Sequence, residues 1–181
     1  MNIFAALETI IDRPETLAGE TGPEGLGRTG LLGYFAGALG LFVFLRMFSA
    51  VPQGIMSFAV MLTLVLAFNF FLASSIHLFM DFTGARGSAA RLFLAFGFTD
   101  YFLALLVPLA FFAKLEVLNG FLWFCLCFLV MFYSRVRLVR RLYPVSTNKA
   151  LLSIWLPYAG LCAVVFTACV YSLAWLVWLV I

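Results

Sequence analysis

Few side chains in this sequence have types and spacings that could do chemistry, and they interrupt or border long apolar segments. His77 is the sole histidine, and Asp81 follows it one helical turn later on the same face. The two side chains could form a pH-responsive pair, or His77 could simply have its hydrogen bonds satisfied at an interface. Asn69 stands between two phenylalanines and is expected to hydrogen-bond a neighbouring helix.

Asp100 has two interpretations that depend on where its helix begins. If the helix begins at Tyr101, the Asp100 carboxylate caps the first turn at an interface. If it begins near Leu92, the carboxylate lies inside an apolar helix, and an acidic residue at membrane depth is a functional-site hypothesis by default. Both interpretations are compatible with the run SAARLFLAFGF that precedes the aspartate.

A basic segment follows the fourth apolar segment of the chain. Four arginines occur in RVRLVRR, and a lysine precedes the last apolar segment. They are expected to spread around the end of a helix, where each gains about 1 kcal/mol from anionic lipid headgroups near the surface. The predicted headgroup-binding residues are Arg135, Arg137, Arg140, Arg141 and Lys149.

The composition requires an apolar solvent around these side chains. Of 181 residues, 65% are hydrophobic and only 10% are charged, whereas soluble domains are roughly 45–50% apolar and about 25% charged. The sequence therefore predicts an integral membrane protein. The net charge of +3 is small. Charges that orient the protein in the membrane explain it better than nucleic-acid binding does.

Five apolar segments are long enough, or nearly so, to cross a bilayer as helices. They predict an all-α membrane protein whose transmembrane domain covers 30–181. The predicted transmembrane helices are 31–51, 55–79, 95–113, 117–134 and 151–181. Between the second and third, GARGS predicts a turn, and the apolar run after it predicts a short interfacial helix.

The charges outside these segments predict the orientation. With five crossings, only Arg46 and Lys114 lie on the far side from the N-terminus. Because basic residues accumulate in the cytoplasm, the N-terminus is expected to be cytoplasmic and the C-terminus outside. The basic residues on the N-terminal side are Arg13, Arg28, Arg86, Arg91, Arg135, Arg137, Arg140, Arg141 and Lys149.

The first 29 residues divide into an apolar stripe and a linker. Helical spacing places five apolar side chains on one face of a short amphipathic helix, and a Gly- and Pro-rich flexible linker follows. The helix could lie on the bilayer surface or dock a partner protein. The five residues are Ile3, Phe4, Leu7, Ile10 and Ile11.

Glycines recur along one face of the first predicted span. Gly33 and Gly37 form a G-x-x-x-G motif, and Gly30 and Gly40 extend the same stripe. Such a groove lets another helix approach closely. The second helix could belong to the same chain or to a second copy in a homo-oligomer.

Several segments resemble the bacterial branch of the Yip family (Ypt-interacting proteins), which are small five-span membrane proteins. The resemblance lies in IDRPETLAGE, in SSIHLFMDFTGARGSAARLFLAFGFTDYFLALLVP and in STNKALLSIWLPY. Within the central segment the family's elements correspond to His77, Gly84, Gly87, Ser88, Gly97, Phe98 and Pro108. The resemblance implies five spans with a cytosolic N-terminus, here in the bacterial cytoplasmic (inner) membrane. The acidic segment of the eukaryotic branch is absent, so Rab-GTPase binding is not implied.

The segment between the second and third predicted spans, with its flanking residues, is the central cytoplasmic signature, which we predict to be a functional but non-catalytic site. Its residues are His77, Asp81, Gly84, Arg86, Gly87, Arg91 and Asp100. The sequence has no nucleophile–base pair, carboxylate dyad or phosphate-binding loop, and the cysteines lack the further ligands of a metal site. We therefore expect no enzyme activity, no cofactor and no metal.

The expected function is that of a membrane scaffold or accessory subunit. Its partners would be membrane lipid and a membrane or cytoplasmic protein, in a larger complex or a homo-oligomer, and not nucleic acid. The alternative is a small transporter or lipid-handling subunit. It would use Asn69, His77 and Asp100 in a cavity between helices opened by Pro108 and Pro157.

Overall fold

The computed structural model describes residues 26 to 180, and this part of the chain is all-α, without strands. Five segments of it are long and apolar enough to cross a membrane, the third combining two helices. The helices are α1 (Leu26–Met47), α2 (Ile55–Phe82), α3 (Ala89–Ala104), α4 (Leu106–Lys114), α5 (Gly120–Leu142) and α6 (Thr147–Val180). The predicted N-terminal amphipathic helix lies outside the described residues.

Two predicted boundaries are corrected by the structure. Residues 26–29, which we assigned to the linker, form the first turn of α1. The stretch assigned to an interfacial helix instead forms most of α3, and α3 with α4 makes up the third candidate span. The reason is packing: Leu92, Ala95 and Phe96 are fully buried in the core of the bundle.

The third candidate span is interrupted at Leu105 because a proline follows three residues later. Pro108 has no backbone N–H, and its ring would clash with the carbonyl of Ala104 in a continuous helix. α3 therefore ends at Ala104 and α4 begins at Leu106. At the other end of α3, the Ser88 hydroxyl accepts a hydrogen bond from the Arg91 N–H and caps the first turn.

α1 packs closely along α3 through the predicted glycine stripe. Gly33 faces the backbone of Gly97, and Gly37 faces Asp100. At the two ends of the stripe, Gly30 faces Leu94 and Gly40 faces Leu103. Residue numbers increase in the same direction along both helices, so the two helices run parallel. The glycine face is therefore occupied by a helix of the same chain.

Contacts near the helix termini define the two ends of the bundle. At one end, the Lys149 ammonium donates to the Thr83 carbonyl over 3.1 Å. We call this the basic end; it comprises the start of α1, residues 82–91 and residues 137–149. At the opposite end, Phe44 stacks on Phe124 and Phe48 approaches Gly120.

α3 and the first half of α6 lie on either side of the space between α2 and α5. Each of them packs against both α2 and α5. Four helices thus surround a common centre, with α1 outside α3. In the second half of α6, side chains 161–179 are all exposed in the described chain.

Replacing Gly33 with alanine is expected to lower the free energy of unfolding by about 1–3 kcal/mol, because the core there has no room for a methyl group. An added Cβ would lie 2.6 Å from the Gly97 carbonyl carbon and closer still to its oxygen. Gly27→Ala is the matched control, since nothing lies within 4 Å of its Cβ position. Unfolding of both variants in detergent by sodium dodecyl sulfate titration measures the difference, and equal stabilities would contradict the packing described.

Candidate functional site

A buried ion pair joins α5 to α3 at the centre of the bundle. One terminal nitrogen of Arg135, Nη2, lies 2.6 Å from the Asp100 Oδ1. The two side chains are 3% and 1% exposed, so water does not screen their attraction. Asp100 lies near the middle of the candidate span Ala89–Lys114, and Ser88, not Asp100, caps that helix.

Each of the four central helices contributes a polar group to a network around this pair. The same Arg135 nitrogen donates to the Asn69 Oδ1 on α2 over 2.6 Å, and its Nε donates to the Thr99 hydroxyl on α3 over 3.1 Å. Its other terminal nitrogen is 3.5 Å from the Tyr158 hydroxyl on α6. The Asn69 amide nitrogen donates to the second Asp100 oxygen over 3.2 Å and to a carbonyl of its own helix.

The rotation of α5 places Arg135 inside and the other arginines outside. Arg135 is about 200° from Arg137 around the helix, whereas Arg140 and Arg141 fall within about 60° of Arg137. Accordingly Arg135 is buried against the Phe96 ring, 4.8 Å from its centroid. Arg137 and Arg140 are exposed and Arg141 is half-buried. This corrects the prediction that Arg135 binds a lipid headgroup, because its side chain is buried inside the bundle.

Polar contacts between α2 and the α5–α6 segment recur at a constant separation along the chain. Asn69 pairs with Arg135, His77 with Tyr143, and Thr83 with Lys149, each pair 66 residues apart. The first two pairs mean that α2 and α5 run parallel, and their side chains bridge the space between the two helices at two heights. The third pair joins the residue after α2 to the first turn of α6 at the basic end.

His77 has a hydrogen-bond partner that the sequence did not indicate. Its Nδ1 lies 2.8 Å from the Tyr143 hydroxyl, whereas Asp81, the partner in one of the two alternatives for His77, is exposed. Burial, with a smaller contribution from the Asp81 charge, raises the pKa of Tyr143 to about 12. The phenol therefore keeps its proton at neutral pH and can donate it to His77.

The rest of the predicted central signature falls into two groups. Gly87 packs on the ring of Tyr143, where an added Cβ would lie 2.6 Å from the ring carbon Cζ. Gly84 adopts φ of +80°, a conformation that favours glycine in a turn. Asp81 and Arg86 are exposed, and Arg91 is half-buried near the start of α3. The structure thus brings His77 and Gly87 together at Tyr143 and places Asp100 in the separate network around Arg135.

The network is closed on itself. Among the described residues, no buried side-chain nitrogen or oxygen lacks a hydrogen-bond partner. Both Asp100 oxygens accept hydrogen bonds, and Arg135 uses its Nε and both terminal nitrogens. The arrangement can hold four helices in one geometry, but it offers no free nucleophile.

An apolar groove of about 260 Å³ lies between the α3–α4 break and α5. Its lining shares no residue with the polar network, so it is a separate feature of the bundle. It is lined by Phe102, Leu105, Pro108, Leu109, Trp123, Leu126, Cys127 and Val130.

Sequence reasoning missed two members of the polar network, Thr99 and Tyr158, and the partner of His77, Tyr143. Thr99, Tyr143 and Tyr158 carry no local pattern that distinguishes them from ordinary helix residues. Arg135 was noticed, but as a surface charge. The one available signal was its position about 200° from Arg137 on a helix with an apolar core face.

In comparison with known proteins, the chain matches no family model, no curated protein and no solved structure.

The ion pair predicts strong coupling between its two members. Asp100→Asn or Arg135→Gln alone is expected to cost about 3–5 kcal/mol of unfolding free energy, because each leaves an unpaired buried charge. The double variant removes both charges and keeps polar amides, so it should cost less than the sum by about 1–3 kcal/mol.

Denaturant titration of the four proteins in detergent completes this cycle. Arg137→Gln is the control and is expected to stay within about 0.5 kcal/mol of the unaltered chain because its side chain is exposed. Simple additivity of the two core substitutions would mean that the pair does not stabilise the bundle as a unit.

Proposed function

We propose that this chain is a non-enzymatic multi-pass membrane scaffold or accessory subunit that engages partner proteins and lipid at its basic end. The closed polar network carries the proposal. Its members satisfy one another across four helices, which suits a rigid platform better than a site that must exchange a substrate. Interactions with other molecules are then left to the ends and the outer faces of the bundle.

We also propose that the basic end faces the cytoplasm of a bacterial inner membrane. The support is the asymmetry of accessible charge, since basic side chains accumulate on the cytoplasmic side. At the opposite end the described basic residues are Arg46 and Lys114. At the basic end they are Arg28, Arg86, Arg91, Arg137, Arg140, Arg141 and Lys149.

Membership in the bacterial branch of the Yip family is part of the same proposal. It is supported by the short motifs around His77, Gly87 and Lys149, and by the agreement between five candidate spans and the five that the family implies. In that interpretation the N-terminal stripe beginning at Ile3 is a docking helix for the protein partner.

Affinity purification of the tagged full chain from bacterial membranes tests partner binding. A partner in fixed stoichiometry is expected, with a native mass above the 20.1 kDa of the chain. Deletion of residues 1–12 and, separately, Arg137→Ala should each reduce its recovery at least tenfold. Lys114→Ala, at the opposite end, is the matched control and should leave recovery unchanged.

Two results would contradict the scaffold proposal. One is a purified chain whose native mass corresponds to this protein alone. The other is equal recovery of the partner by the unaltered chain, the deletion variant and the Arg137 variant, because binding would then not involve the basic end.

A small transporter is the second candidate function. A carboxylate, a guanidinium and an amide lie together at the centre of four helices within candidate spans, and intramembrane charges often mark ion or proton paths. Asp100, Asn69 and Arg135 would then form the transport site.

Proteoliposomes with an imposed pH gradient separate this candidate from the scaffold. The scaffold proposal predicts that the unaltered chain and the Asp100→Asn/Arg135→Gln variant both dissipate the gradient no faster than empty vesicles. Dissipation by the unaltered chain that is lost in the double variant would instead establish transport.

A further inference from the structure

A basic stripe lies on the outer face of the last turns of α5, with Arg137 and Arg140 exposed and Arg141 half-buried. Tyr133, Arg137, Arg140 and Arg141 stand at positions i, i+4, i+7 and i+8, which confines them to one side of the helix, within about 100° of arc. Tyr133 is 58% exposed, and the guanidinium of Arg137 lies 5.9 Å from the centroid of its ring. We call these four residues the α5 stripe.

The charge of the α5 stripe is not neutralised by the described part of the chain. α5 contains no acidic residue. The one salt bridge among the described residues uses Arg135 on the opposite face, and its partner is Asp100. Asp81 is the single described acidic residue at the basic end, so the three guanidinium groups suit an external anion.

The same face of α5 changes from apolar to basic along the helix axis. Leu126 and Leu129 are 43% and 65% exposed, and they precede Tyr133 on the same side of the helix. An aromatic ring with a polar tip, between an apolar surface and cations, is typical of a membrane–water interface. A ligand covering the whole face would need an apolar chain joined to an anionic head.

We propose that the α5 stripe binds an anionic phospholipid of the surrounding leaflet. The phosphodiester contacts the guanidinium groups of Arg137, Arg140 and Arg141, the Tyr133 ring lies at the level of the glycerol backbone, and an acyl chain follows Leu129 and Leu126. This inference deepens the proposed function because it names the lipid class at the basic end. It does not require that the protein partner exist.

The charge complementarity favours an anionic lipid over a zwitterionic one. A phosphatidylcholine head carries a cation that three arginines would repel, whereas phosphatidylglycerol carries only the phosphate charge. Near a surface each arginine is expected to contribute about fivefold in lipid affinity. Removal of two arginines from the α5 stripe should therefore weaken binding by about 25-fold.

Native mass spectrometry of the purified full chain, freed of any protein partner, tests the site. The chain is titrated in detergent with phosphatidylglycerol or with phosphatidylcholine of the same acyl chains. The unaltered chain is expected to bind phosphatidylglycerol preferentially, and Arg137→Gln/Arg140→Gln should lose about 25-fold in that affinity. The matched control is Arg28→Gln/Arg86→Gln, which removes two exposed arginines of the basic end that lie off the α5 stripe.

Three further outcomes decide the proposal. Equal loss in both arginine pairs would overturn it, because binding would then reflect general surface charge. Displacement of the lipid by millimolar inorganic phosphate would also overturn it, since the acyl chain would then not contribute. Tyr133→Leu should weaken binding while Tyr171→Leu, at an exposed tyrosine of α6, should not, and equal effects would again contradict the site. Lipid affinity is read without any protein partner, so its failure is distinguishable from failure of the scaffold proposal.

Discussion

The pairing of Arg135 with Asp100 is the interaction on which the described bundle depends. A guanidinium and a carboxylate away from water are each costly unless every charge has its partner and hydrogen bonds. Placing Arg135 inward fixes the rotation of α5, and that rotation turns Arg137 outward toward lipid and solvent. One buried contact therefore determines both what lies between the helices and what the basic end presents.

Close approach of α1 to α3 makes this arrangement sterically feasible. Gly33 and Gly97 bring the backbones of α1 and α3 into contact. α3 also packs against α2 and α5, so it lies between α1 and the centre of the bundle. Helices in a bilayer gain no hydrophobic stabilisation from packing on each other, because lipid is as apolar as their side chains. At the glycine face, close van der Waals packing of the two backbones therefore stabilises the contact. At the centre, where four helices meet, the hydrogen bonds of the polar network fix the rotation of the helices relative to one another.

The fold was accessible from the sequence to the extent that it depends on composition and segment length. Five long apolar segments predict five candidate spans, and the described residues contain five. The site was accessible only in part, because Asn69 and Asp100 stand out as polar residues in apolar runs, but their common partner Arg135 lies 66 and 35 residues away from them, respectively. Pairing across helices depends on their relative rotation, which one sequence does not encode in a local pattern. His77 illustrates this, since the nearest carboxylate in sequence is exposed and a distant phenol is its actual partner.

The constant separation between α2 and its partners in the α5–α6 segment has a mechanical consequence. Displacement of α2 along its own axis past α5 would strain the contact of Asn69 with Arg135 and that of His77 with Tyr143 together. Axial piston motion between these two helices is therefore strongly disfavoured. α6 differs, because Pro157 removes one backbone hydrogen bond from within it and side chains 161–179 beyond it are exposed in the described chain. Bending of α6 at Pro157 would move its exposed outer half, and of the central contacts it would disturb only the one between Tyr158 and Arg135.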